Sequence, residues 1–159
     1  MKTMQDWLDA YAVSHKNPIN KLIHWICVPL IFFTIVGLLS RIPTGNWQVE
    51  FPLFAGYLHV GTLLLIFGLM FFLRLSKVMA FFMAIVAFTV LWGVKVVNEA
   101  APEQALYLYL IVFAAAWIGQ FIGHKIEGEK PSFFDDLKFL LIGPAWLLSF
   151  ILKNLGLKY

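Results

Sequence analysis

The chain has 159 residues, 61% of them hydrophobic and 13% charged, which leaves too little polar surface to coat a water-soluble globule. The formal charge is only +3, and the basic residues lie scattered near the ends of apolar runs instead of forming an aromatic-interleaved stripe, which argues against nucleic acid as a partner. The expected architecture is all-α: an integral membrane bundle of four to five transmembrane helices, built as one domain over residues 1–159.

The stretch from Met1 to Asn20 is polar and lacks the apolar core and cleavage site of a signal peptide, so the first span is expected to direct insertion. Asn17-Pro18 reads as a helix start, because Asn caps orphan amides and Pro fits the first turn. The apolar run behind it continues to about Ser40, ahead of Arg41-Ile42-Pro43. A second run extends from Phe51 to Leu73 and a third from Val78 to Val97, each about as long as a hydrocarbon core of roughly 30 Å requires. At the end of the third, Lys95 and Glu99 form an i,i+4 pair. The fourth, Glu103 to about His124, contains Gly119 and Gly123 one turn apart, a spacing that admits a neighbouring backbone. The last run, Leu137 to Leu155, holds Pro144 and is marginal in length, so spanning, kinking and re-entry stay open. Ser132 with Asp135 fits a cap in front of it, giving Asp135 and Asp136 a structural reading. Cys27 is the only cysteine and sits in an apolar run, where a thiol behaves as a small hydrophobe.

Lys- and Arg-rich loops stay cytoplasmic. With the N-terminus inside, eight of the twelve basic residues fall on the cytoplasmic face, among them Lys16, Lys21, Lys125, Lys130 and Lys138. That topology brings the segment before the first span and the segment after the fourth to the same face.

Three of the four histidines lie in these two segments, and an imidazole in a membrane protein needs a reason. His15 and His24 would point opposite ways on one continuous helix. Pro18 prevents that helix, so the segment can fold back, with Asn20 one turn before His24 on its own face. Pro29 cannot donate to the carbonyl of Trp25, which frees an acceptor to orient a ring nitrogen of His24. Downstream, Gln120, His124 and Glu127 share one stripe of an apolar helix. Neutral histidines with a carboxylate suit iron, manganese or zinc, and a site with open positions can activate dioxygen when the metal is ferrous. The same residues also fit hydrogen bonding at the headgroup level. His59, alone on an apolar helix, reads as a packed side chain. No Walker loop, nucleophile elbow or zincin motif is present. Haem ligation for electron transfer and a non-enzymatic scaffold or lipid-binding role are the alternatives.

The pattern His15-x-Asn17-Pro18-x-Asn20-x-x-x-His24 with Val28-Pro29, followed by Trp117-Ile-Gly-Gln120-Phe-Ile-Gly123-His124-x-x-Glu127-x-x-x-Pro131, closely resembles the small membrane proteins typified by the fungal 2-hydroxy fatty acid dioxygenase. The resemblance covers essentially the whole chain, and its specificity lies in these two motifs. It implies an Fe(II)-dependent enzyme that uses dioxygen to shorten a 2-hydroxy fatty acid by its carboxyl carbon. Carried over by position, it gives His15, His24 and His124 as metal ligands, Glu127 beside them in the catalytic set, and Asn20 and Gln120 in support. Lys16, Lys21 and Lys125 have the sign and location to hold the substrate carboxylate. His59 and the pair Gly128-Glu129 depart from the pattern, the latter because many relatives are more basic there.

Overall fold

The computed structural model describes residues 2–45, 56–128 and 139–159, and these form six helices: α1 Met4–Ala12, α2 Pro18–Ser40, α3 Val60–Leu75, α4 Lys77–Ala100, α5 Ala105–Glu127 and α6 Ile142–Asn154. Helices α2, α4 and α5 are long and apolar enough to cross a membrane, and α3 is a shorter apolar helix. The bundle is therefore a membrane fold of the expected class. At 1.5 Å per residue, the 13-residue α6 reaches only roughly 20 Å, short of a hydrocarbon core.

Asn17 opens α2 as expected, its side chain accepting from the Ile19 amide at 2.9 Å, with Pro18 in the first turn. The second apolar run was expected to be helical from Phe51. The described helix starts later, at Val60, because Gly56 takes a left-handed turn (φ +78°) and His59 is extended ahead of α3; residues 46–55 lie outside the described residues. Pro144 falls in the first turn of α6, where the missing N–H belongs to an orphan position, so it does not interrupt the helix. The proposed cap at Ser132 and Asp135, with Asp136, Leu137, Lys130 and Lys138, also lies outside the described residues.

Helices α2 and α5 are antiparallel partners along their whole length. Arg41 donates to the Pro102 carbonyl at one end, and Tyr109 packs over Gly37 just inside it. Cβ atoms added at Gly119 and Gly123 would lie 2.6 Å from the Cys27 sulfur and 2.4 Å from the Asn20 amide oxygen. The glycine pair is thus the seam through which α5 approaches α2, the use its spacing suggested. The Lys95–Glu99 pair forms on α4 at 2.5 Å.

Helix α1 has no counterpart in the sequence reading. Thr3 and Asp6 close a reciprocal capping box, Thr3 N donating at 2.7 Å and Asp6 N at 3.2 Å. Met4, Leu8 and Tyr11 form its buried stripe, in one apolar cluster with Ala145, Trp146 and Leu152 of α6. Packing of α1 on α6 carries the chain back over the end of α2, and that return delivers His15.

Candidate metal centre

Three buried imidazoles meet where the turn after α1, the second turn of α2 and the last turns of α5 converge. His15, His24 and His124 are 3%, 0% and 4% exposed. Their ring centroids are 4.3 Å (His15–His24), 5.3 Å (His15–His124) and 5.0 Å (His24–His124) apart, all near edge-to-face. One nitrogen from each falls within 4.8 Å of the others. Imidazole–metal bonds are roughly 2.1 Å, so one ion fits among them if the triangle tightens slightly.

The hydrogen bonds set the tautomers. His15 Nδ1 meets the Tyr11 carbonyl at 2.6 Å, and His24 Nδ1 meets the Asn20 carbonyl at 2.9 Å. A carbonyl only accepts, so each Nδ1 carries the proton and each neutral ring keeps its lone pair on Nε2. The acceptor expected for His24 was the Trp25 carbonyl freed by Pro29; the carbonyl used is one helical turn earlier, because ring nitrogen Nδ1 reaches back along α2 to residue i−4. Burial pushes His15 down to about 4, which keeps it neutral and fit to bind a metal. The Tyr11 ring stacks on it at 4.2 Å, and Trp146 lies 5.3 Å away. Neither aromatic was expected at the site, since only the α1–α6 docking places them there.

Glu127 does not join the histidine cluster. Its carboxylate accepts from the Lys16 amide at 2.8 Å, the Asn17 amide at 2.8 Å and the Asn20 side chain at 3.0 Å. Asn20 also donates to the Ser14 carbonyl at 3.1 Å, so one acidic residue on α5 ties down the turn holding His15 and the first turn leading to His24. Gly128, left-handed at φ +85°, ends α5 directly behind this carboxylate. Gln120 is buried one turn deeper and lines a cavity with Tyr11 and Val28. Lys16 and Lys125 are exposed and Lys21 is half-buried around the rim. His59 is buried against Gly61 of α3 beside Val36, at the other end of α2, outside the cluster.

Replacing Glu127 by Gln is expected to weaken metal retention by ~10–100-fold while the bundle stays folded, because it removes the charge that holds two backbone amides without touching a ligand. Metal titration of the purified variant measures this. Unchanged affinity would mean that the turn holds itself.

The fold and site define a class: a membrane helical bundle with three buried imidazoles near one end, one nitrogen of each close enough to the others that the group could hold a metal ion. The chain belongs to the Mpo1-like family, described as 2-hydroxy-palmitic acid dioxygenase Mpo1-like, which it matches over residues 1–155. It is 30% identical over 162 aligned residues to the 2-hydroxy-palmitic acid dioxygenase MPO1 of Saccharomyces cerevisiae, covering 96% of this chain and 82% of that protein. No solved structure matches it.

Proposed function

We propose that this protein is a non-haem, Fe(II)-dependent dioxygenase of 2-hydroxy fatty acids, shortening them by one carbon in fatty acid α-oxidation. The observation that carries the reading is the convergence of His15, His24 and His124 from two distant segments into one buried triangle; family membership supplies the reaction class.

The donor set fits the metal. Three imidazoles suit iron among the divalent transition metals and leave positions for a substrate and dioxygen, and the dioxygenase description of the family favours iron among them. Bound there, the iron supplies dioxygen activation and a Lewis acid for the 2-hydroxycarboxylate. The chain holds and orients: the Tyr11 and Asn20 carbonyls fix the tautomers, and Tyr11 and Trp146 shield His15 from water. Asn20 and Gln120 support the pocket, Glu127 positions it, and Lys16, Lys21 and Lys125 draw the substrate carboxylate to the rim. A haem would need its macrocycle between two of these rings, and they already pack within 5.3 Å of each other. That observation disfavours the electron-transfer alternative. Purified protein is expected to contain iron without a Soret band. A strong Soret band would overturn the non-haem reading, and absence of metal after anaerobic purification would favour a scaffold.

The charge asymmetry supports an N-terminus and metal site on the cytoplasmic side. Cys27 is buried, which makes single cysteines at the exposed positions Lys16 and Lys125 clean probes. Both are expected to react with an impermeant maleimide from the cytoplasmic side. Labelling from the other side would reverse the orientation.

A further inference from the structure

The three histidines are closed on most sides. The glycine seam seals the gap between α2 and α5, since not even a methyl group fits between Gly119 and Cys27 or between Gly123 and Asn20. Tyr11 and Trp146 cover His15 from α1 and α6. A gap in the packing lies one to two helical turns inward of them. One turn and two turns from His24 on α2 stand Val28 and Ile31, and one and two turns from His124 on α5 stand Gln120 and Trp117. These four residues line a cavity of about 30 Å³, with Gly143 of α6 and Leu140 as part of its wall. Another small gap, of about 10 Å³, is lined by Phe32 and Leu141 with Gly68 of α3. Ile31 and Leu140 border the first, while their chain neighbours Phe32 and Leu141 border the second, so a short apolar partition separates the two. Helical interiors are ordinarily close-packed, and here two gaps, both partly open at the surface, succeed one another along α2 beyond the histidines.

We infer that this line of cavities is the acyl-chain channel of the site, running inside the bundle from the histidines past Ile31 and Leu140 to Leu141 and Gly68. The inference rests on the fatty acid reading above and adds where the chain lies. The first cavity, at about 30 Å³, is far smaller than an acyl chain, so the chain enters by moving the leucine side chains of the partition into new rotamers. Gly143 lets α6 come close at the entrance without filling it: a Cβ there would already stand 3.1 Å from Val28 and 3.3 Å from the Tyr11 hydroxyl, so a larger side chain intrudes on the gap. Leu141, whose side chain would lie 3.0 Å from a Cβ on Gly68, sets the length accepted beyond the partition.

A 2-hydroxy fatty acid carrying a mid-chain diazirine, photolysed on the iron-loaded protein in nanodiscs, tests this by mass-spectrometric mapping of the adducts. Adducts are expected on Ile31, Leu140 and Leu141. Adducts on the lipid-facing α5 residues Ile118 and Ile122, or none inside the bundle, overturn the channel. Leu141→Ala is expected to shift the chain-length profile, raising kcat/KM for longer acids relative to shorter ones by about tenfold, as added room in an apolar pocket would. Gly143→Val is expected to reduce interior adducts by about tenfold with iron retained. An unmoved chain-length profile in Leu141→Ala contradicts the assignment. Interior adducts in a protein that turns over no 2-hydroxy acid would keep the channel and remove the dioxygenase reading. Turnover with adducts only on Ile118 and Ile122 would do the reverse.

Discussion

Alanine in place of any one of His15, His24 and His124 is expected to abolish iron retention and oxygen-dependent loss of a 2-hydroxy fatty acid, with the protein still inserted and folded. The three act as a unit because each offers one nitrogen to the same point, and two imidazoles alone hold a ferrous ion weakly. Residues that merely hydrogen-bond at the headgroup level would be replaceable one at a time. The expected signature is equality: the three variants fail alike in metal content, though they sit on different elements and lose different packing. His59→Ala is the control. It removes a buried imidazole at the other end of α2, so it is expected to change thermal stability and keep iron and turnover. Loss of iron in His59→Ala together with normal turnover in His15→Ala would move the site to the other end of the bundle.

Gly123→Ala is the second change with a large expected effect. The new methyl would lie 2.4 Å from the Asn20 amide oxygen, and Asn20 is held in place by Ser14 and Glu127. Either α5 backs away from α2 or Asn20 leaves its partners, and both disturb the ring of His24, whose Nδ1 proton goes to the Asn20 carbonyl. Overpacking of this kind costs about 1–3 kcal/mol. Both thermal stability and metal affinity are expected to fall. Gly119→Ala provides the comparison, because its methyl would clash with the Cys27 sulfur at 2.6 Å and meet Ile23 at an ordinary 3.9 Å. Combining it with Cys27→Ala is expected to restore stability, whereas Cys27→Ala leaves Gly123→Ala unrelieved. Restoration of both, or of neither, would show that the seam does not work residue by residue.

What could be read from the sequence follows the range of the interactions involved. Asn17-Pro18 starts α2 through local capping, so its position was legible, and Pro18 explains why His15 folds back toward His24. The convergence of His124 with them was accessible through topology, since the charge asymmetry put both segments on one face. The glycine spacing signalled close approach, and the structure shows α2 as the partner. Helix α1 was missed even though Thr3 and Asp6 carry a capping signature, because the polar N-terminus masked the Met4, Leu8, Tyr11 stripe. Tyr11 and Trp146 at the site depend on α1 docking against α6, a long-range contact with no local signal. Glu127 was recognised as a member of the polar stripe. Its grip on the Lys16 and Asn17 amides was illegible, because backbone donors leave no mark in a sequence.

The most direct test of the central claim is turnover by the purified, anaerobically iron-loaded protein given a 2-hydroxy fatty acid and a measured amount of dioxygen. The expected result is a product one carbon shorter, formed in equal amount to the oxygen consumed and absent from metal-free protein and from His24→Ala. Equal product from the metal-free protein or from His24→Ala, or no product from the iron-loaded chain, would contradict it.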